Sequence, residues 1–205
     1  MFPETIETDR LRLAQFCQDR VSPSEFYAVA GRGQTETIDE ETQYVSWSPH
    51  EHPKESADVL ASFEEAWDEG ESATYAIYLR EGEPGSGELA GNTGLNLHWE
   101  TQRAELGIWL RKPFWGRGYS GERAAALLEV AFDRLDLEVV SVAHVPENDN
   151  SQRAIERYVD RFGGRREGRL RNELRDSDGR VHDVVRYSIS CDEWASARSD
   201  SGPSR

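Results

Sequence analysis

Bare backbone is concentrated at one place in this chain. The stretch "FWGRGYSGE", residues 114–122, carries Gly116, Gly118 and Gly121 between a strand-like run, "RAELGIWL", and a helix-like run, "RAAALLEVAFDRL". Glycines let successive N–H groups converge, and a helix start adds a partial positive charge. Such a junction therefore attracts an oxyanion such as a pyrophosphate. Three readings compete for it. As GxGxxG it matches the dinucleotide-binding pattern, but "RKPF" intervenes after the strand, and that strand ends an antiparallel meander rather than a parallel unit. As a P-loop it has the span, but Glu122-Arg123 stands where Lys-Ser/Thr is needed for phosphate and magnesium. As plain structure it is a tight turn before a helix.

The elements around it decide among these. "LRLAQF" alternates as a short strand, "SPSEFYAVAG" has a helix start and a glycine stop, and residues 33–52 are polar and irregular, with Trp47 and Pro49 anchoring a loop. "HPKESADVLASFEEAWDEGE" reads as a helix with Val59, Leu60, Phe63 and Trp67 on one side. The period then changes to two: "ATYAIYLR", "ELAGNTGLNLH" and "RAELGIWLR" form an antiparallel meander. A helix over 117–134 follows, then the apolar strand "LEVVSVAHV" and the helix "NDNSQRAIERYVDRF". "RREGRLRNEL" and "VHDVVRYSIS" make a closing hairpin. The order predicts one mixed α/β domain over 8–192, with 193–205 a disordered polar tail.

Composition narrows the function classes. No apolar run approaches the roughly 20 residues of a bilayer crossing, and no basic-then-apolar leader opens the chain, so the expected compartment is the cytoplasm. Cys17 and Cys191 lie far apart without metal-type spacing, so they read as plain thiols and no metal is expected. The 39 acidic residues against 24 basic give a net charge of −15, and the acids are scattered along the chain. That pattern fits a solvated shell from a salt-adapted proteome and argues against nucleic acid as a partner.

Taken together, "TDRLRL", "GNTGL", "AELGIWLRKPFWGRGYSGE" and "NDNSQRAIER" resemble the GNAT superfamily of N-acetyltransferases, in its RimJ/RimL branch. The resemblance implies a mostly antiparallel sheet, splayed between the fourth and fifth strands, with helices on both faces. It implies acetyl-CoA as co-substrate, with Trp115, Gly116, Arg117, Gly118, Tyr119, Ser120 and Gly121 around its pyrophosphate. Backbone groups at Ile108, Trp109 and Leu110 would meet pantetheine and the thioester. Asn148 would hydrogen-bond the pantetheine arm, and Ser151 would protonate or bind the departing sulfur; both residue types are also ordinary helix caps. Glu105 matches the acid before "xGxWL" and is the candidate general base, with His98 second. Ile155 stands where other branches carry a catalytic tyrosine. The expected partner is an amine, either a protein N-terminus (a ribosomal protein included) or a small molecule, with a homodimer left open. The groove for it is expected over 31–70, where Trp47, Trp67 and Trp99 are candidates to line it. A CoA-binding sensor without turnover is the alternative, and a dinucleotide-binding protein the third.

Overall fold

The computed structural model describes residues 1–176 and 178–200. Its sheet has eight strands: β1 Thr5–Glu7, β2 Leu11–Gln15, β3 Ser72–Leu79, β4 Leu89–His98, β5 Arg103–Leu110, β6 Val139–His144, β7 Arg165–Arg175 and β8 Val181–Ser190. They lie in the order β1-β2-β3-β4-β5-β6-β8-β7. Every neighbouring pair is antiparallel except β5 and β6. The helices are α1 Pro23–Ala30, α2 Ile38–Thr42, α3 Pro53–Asp68, α4 Tyr119–Glu129, α5 Asp149–Arg161 and α6 Cys191–Asp200. A π turn over Val130–Arg134 prolongs α4.

Period-two alternation sends side chains to two cores. On one face Leu11, Leu13, Tyr75, Ile77, Ala104 and Leu106 meet Ala124, Leu127 and Leu128 of α4 and Ile155 and Val159 of α5. On the other face Ala14, Ala76, Tyr78 and Trp109 meet Phe26 of α1, Ile38 of α2 and Leu60 of α3. Helices thus cover both faces, and the expected mixed α/β fold is the one observed.

Two short elements were not legible. β1 has three residues, too few to show alternation. α2 is one polar turn, "IDEET", within the segment expected as loop, and only Ile38, Glu41 and Thr42 turn inward. β1 shifts the count, so the expected splay between the fourth and fifth strands falls between β5 and β6.

The glycines of "GNTGL" in β4 answer to close packing of main chains. Gly91 has φ +152, and a Cβ there would come within 2.1 Å of the Trp109 carbonyl oxygen.

The expected disordered tail needs correction. Residues 193–200 belong to α6, while 201–205 lie outside the described residues. The small polar composition concealed one anchor. Trp194 is buried, its ring 4.9 Å from that of Phe162 and 6.1 Å from that of Phe132. The Arg198–Asp133 pair, 2.6 Å long, is half-exposed on both sides and adds little. The indole holds the helix. Trp194→Ala is therefore expected to cost about 3–5 kcal/mol, read as a lower urea midpoint, whereas Arg198→Ala should change it by less than about 1 kcal/mol.

Candidate active site

β5 and β6 are paired only at Arg103–Val139, Ala104–Val140 and Glu105–Ser141. Both strands then continue, β5 to Leu110 and β6 to His144, without further pairing, so a gap opens between them. Main-chain alternation decides which groups of β5 face that gap. Arg111 N donates to Ala90 O, and Gly107 O accepts from Thr93 Oγ1 at 2.6 Å, so odd-numbered main chain faces β4. Ile108 and Leu110 face the gap. Trp109 departs from the expectation, since its main chain faces β4; its indole instead packs edge-on against Trp47, ring centres 5.1 Å apart.

The glycine loop stands beside this gap. Phe114 N and Trp115 N bond back to Arg111 O and Lys112 O in a tight turn, and Trp115 Nε1 donates to Leu110 O at 2.7 Å, tying the loop to the strand end. Gly116 and Gly118 follow with φ of +74 and +82, a region that side chains with a Cβ disfavour. Gly118 is the N-cap of α4, and its carbonyl accepts from the amides of Gly121 and Glu122. Among the described residues, no protein carbonyl accepts from the amides of Gly116, Arg117, Gly118, Tyr119 or Ser120. Five adjacent unpaired N–H groups at a helix start are the arrangement from which an anion cradle can be built. The side chains play other parts. Tyr119 is buried with its hydroxyl on Glu83, and Arg117 Nη1 donates to Pro84 O at 3.2 Å.

"TDRLRL" and "GERA" explain one another. Glu122 accepts from the Thr8 hydroxyl at 2.6 Å, from Arg10 N at 2.7 Å and from Arg10 Nε at 2.7 Å. Arg10 also donates to Arg117 O at 2.9 Å and lies over the Tyr119 ring at 4.8 Å. The first hairpin thus clamps the loop from beneath. Sequence reasoning missed this; Thr8 and Arg10 stood in a quoted motif without a partner. Burial pushes the Glu122 carboxyl up, but the bonds from Thr8 and Arg10 and the Arg10 charge outweigh it, so it titrates below an ordinary glutamate. A depressed folded value gives stability that is complete above the unfolded value of about 4.3 and is lost as pH falls through the folded one. Glu122→Gln should therefore cost about 2 kcal/mol at neutral pH, and urea melts should show the difference shrinking as pH drops below about 4.

A cavity of about 2440 Å³ runs from the loop through the gap to the α1–α3 face. Gly116, Gly118, Ser120, Gly121, Ile108, Leu110, Trp115, Asn148, Ser151 and Glu105 all line it. Glu105 is half-buried, opposite Asn96 on one side and Ser141 on the other, at the last paired position before the gap. Alternation puts it on one face with Gly107 and Trp109. Asn148 caps α5, its Oδ1 accepting from Ser151 N at 3.0 Å, which holds Ser151 at the mouth of the gap. His98 is exposed and does not line the cavity. Of the three tryptophans expected in the groove only Trp47 lines it; Trp67 packs on Phe2 and Tyr75, and Trp99 donates to Gly70 O.

The profile of the acetyltransferase (GNAT) domain family matches residues 10–158. The chain belongs to that family. Over 157 residues it is 27% identical to an uncharacterized N-acetyltransferase, p20, of Bacillus licheniformis, covering 76% of this chain and 83% of that one. Over 109 residues it is 34% identical to the provisionally named ribosomal N-acetyltransferase YdaF of Bacillus subtilis (strain 168), covering 53% of this chain and 57% of that one. Among solved structures, the microcin C7 self-immunity acetyltransferase MccE, determined with acetyl-CoA and AMP, superposes with a TM-score of 0.77 at 16% identity, over 92% of this chain and 97% of that one. This GNAT chain is accordingly an acetyl-CoA-dependent acyltransferase.

Proposed function

We propose that the enzyme transfers the acetyl group of acetyl-CoA to a primary amine, by direct attack within a ternary complex. The observation that carries this reading is the row of unpaired amides from Gly116 to Ser120 beside the gap between β5 and β6. The pyrophosphate sits on those amides, and pantetheine enters the gap along the main chain of Ile108 and Leu110. The acetyl group emerges on the α1–α3 face, where Glu105 faces outward. There Glu105, directly or through one water, takes a proton from the arriving ammonium. The neutral nitrogen attacks the thioester carbon, the C–S bond breaks, the sulfur leaves with its electron pair, and the surplus proton on the acetylated nitrogen passes to water. Ser151 gives that sulfur a proton and is resupplied from water.

The charge of the acceptor side supports a cationic acceptor, whether a protein N-terminus or a small amine. Glu41 is buried there; its Oε1 accepts from Lys112 N at 2.8 Å and from Thr37 Oγ1 at 2.7 Å, while its Oε2 has no partner among the described residues. Lys112 Nζ is engaged by Glu40. Burial pushes the His50 pKa down against the pull of Glu55, and so favours the neutral form. Thiol release from acetyl-CoA, followed with a panel of N-terminal peptides and small amines, tests the proposal. Release that depends on an amine is the expected result; tight acetyl-CoA binding without release by any amine would leave a sensor instead.

A further inference from the structure

One cation in the core, Arg123, has no counter-ion among the described residues. Arg123, in α4 just past the glycine loop, is 1% exposed, and Tyr158 of α5, against which it lies, is 2% exposed. The guanidinium carbon is 5.8 Å from the centre of the tyrosine ring. Among the described residues, Arg123 Nε and Nη1 and the Tyr158 hydroxyl make no hydrogen bond of normal geometry, although the two side chains lie close enough for the hydroxyl to interact with the guanidinium. Burial pushes the Arg123 pKa down, and Tyr158 is the neighbour that opposes it; no carboxylate does. A buried guanidinium without an anion is among the least favourable arrangements a core can hold, so the missing partner is to be sought in a ligand.

Both residues line the cavity that the loop opens into. Side chains on a helix lean toward its N-terminus. From position 123 the guanidinium therefore leans back toward the unpaired amides of Gly116 to Ser120. An acceptor carboxylate is the wrong anion, because Tyr158 belongs to the α4–α5 core and Arg123 lies buried against it, across the sheet from Trp109 and the α1–α3 core.

We infer that Arg123, with the Tyr158 hydroxyl, takes one phosphate oxygen of the acetyl-CoA pyrophosphate from within the core while the loop amides take the others. The inference rests on the placement of acetyl-CoA proposed above. It makes the empty enzyme carry a destabilising charge that the co-substrate neutralises. Two physical consequences separate this role from packing: removing the charge should stabilise the empty protein and weaken only ligands that carry phosphate.

The test uses Arg123→Met and Arg123→Gln, with thermal melts of the empty proteins and calorimetric titration of CoA and of phosphate-free pantetheine. The expected result is a higher melting temperature without ligand, CoA binding weaker by roughly 10- to 100-fold, and pantetheine binding changed less than about twofold. CoA affinity within about twofold of wild type in either variant would overturn the inference while leaving the acetyl-CoA site intact. Equal losses for CoA and pantetheine would overturn it too. So would failure of both variants to fold, because a charge kept for a ligand is dispensable to the empty fold. If the wild-type protein binds pantetheine as tightly as CoA, the phosphate cradle itself is wrong, and the placement of acetyl-CoA falls with it.

Discussion

Gly118→Asp is expected to abolish measurable acetyl-CoA binding, with a loss of at least about 100-fold. Two effects add. Gly118 sits at φ +82, where a residue with a Cβ is strained by about 1–2 kcal/mol. That strain lowers affinity only so far as the free loop relaxes out of the binding conformation, so Gly118→Ala should lose at most roughly tenfold. The aspartate adds a negative charge beside the phosphates, and a like charge about 4 Å away at an effective dielectric of 20 costs about 4 kcal/mol. Space does not limit the substitution, because the nearest atom to a Cβ there is Arg10 Nη2 at 3.5 Å. The carboxylate can fold onto that guanidinium, so the variant should keep its structure and lose the ligand. Calorimetry on both variants, with circular dichroism to confirm folding, reads the difference. An aspartate variant that binds no worse than the alanine variant would remove the phosphates from this loop.

Glu105→Gln is expected to lower kcat by roughly 100- to 1000-fold at neutral pH while leaving the acetyl-CoA Kd within about twofold. The geometry separates the two quantities. Glu105 lies on the face of β5 shared with Gly107 and Trp109, whereas the amides of the cradle lie at the head of α4. The missing side chain of Gly107 leaves the carboxylate open toward the α1–α3 side. Arg103, its neighbour, directs Nη1 to Ser141 Oγ at 3.0 Å. The pH dependence has a definite sign. A base is needed only while the acceptor arrives as ammonium, so the defect should shrink as pH rises toward the pKa of the amine. A defect constant from pH 6 to pH 10 would assign Glu105 to structure, and an unaltered rate at pH 7 would dismiss it altogether.

How much of this was legible depended on whether the signal was local. The meander, α3, α4, α5 and the closing hairpin each carry their own period and stop residues, from Pro53 at the start of α3 to Gly163 and Gly164 after α5. The loop was legible because its three glycines fall within six positions. The resemblance added Glu105, Asn148 and Ser151, which composition could not single out. What escaped was pairing at a distance. Nothing local joins Arg10 to Glu122, 112 positions away, or places Trp194 between Phe132 and Phe162. Arg123 was passed over because an arginine within an acidic helix start reads as surface, and only the packing of α4 against α5 buries it. The misassigned tail has the same cause: one buried indole outweighs nine small or polar neighbours in α6.

The most direct test of the central claim watches the cradle itself. In ¹H–¹⁵N spectra of the labelled protein titrated with acetyl-CoA, the amides of Gly116, Arg117, Gly118, Tyr119 and Ser120 should show the largest shifts, moving downfield as they gain a phosphate acceptor. Saturable binding of acetyl-CoA with those five resonances unmoved would contradict the account.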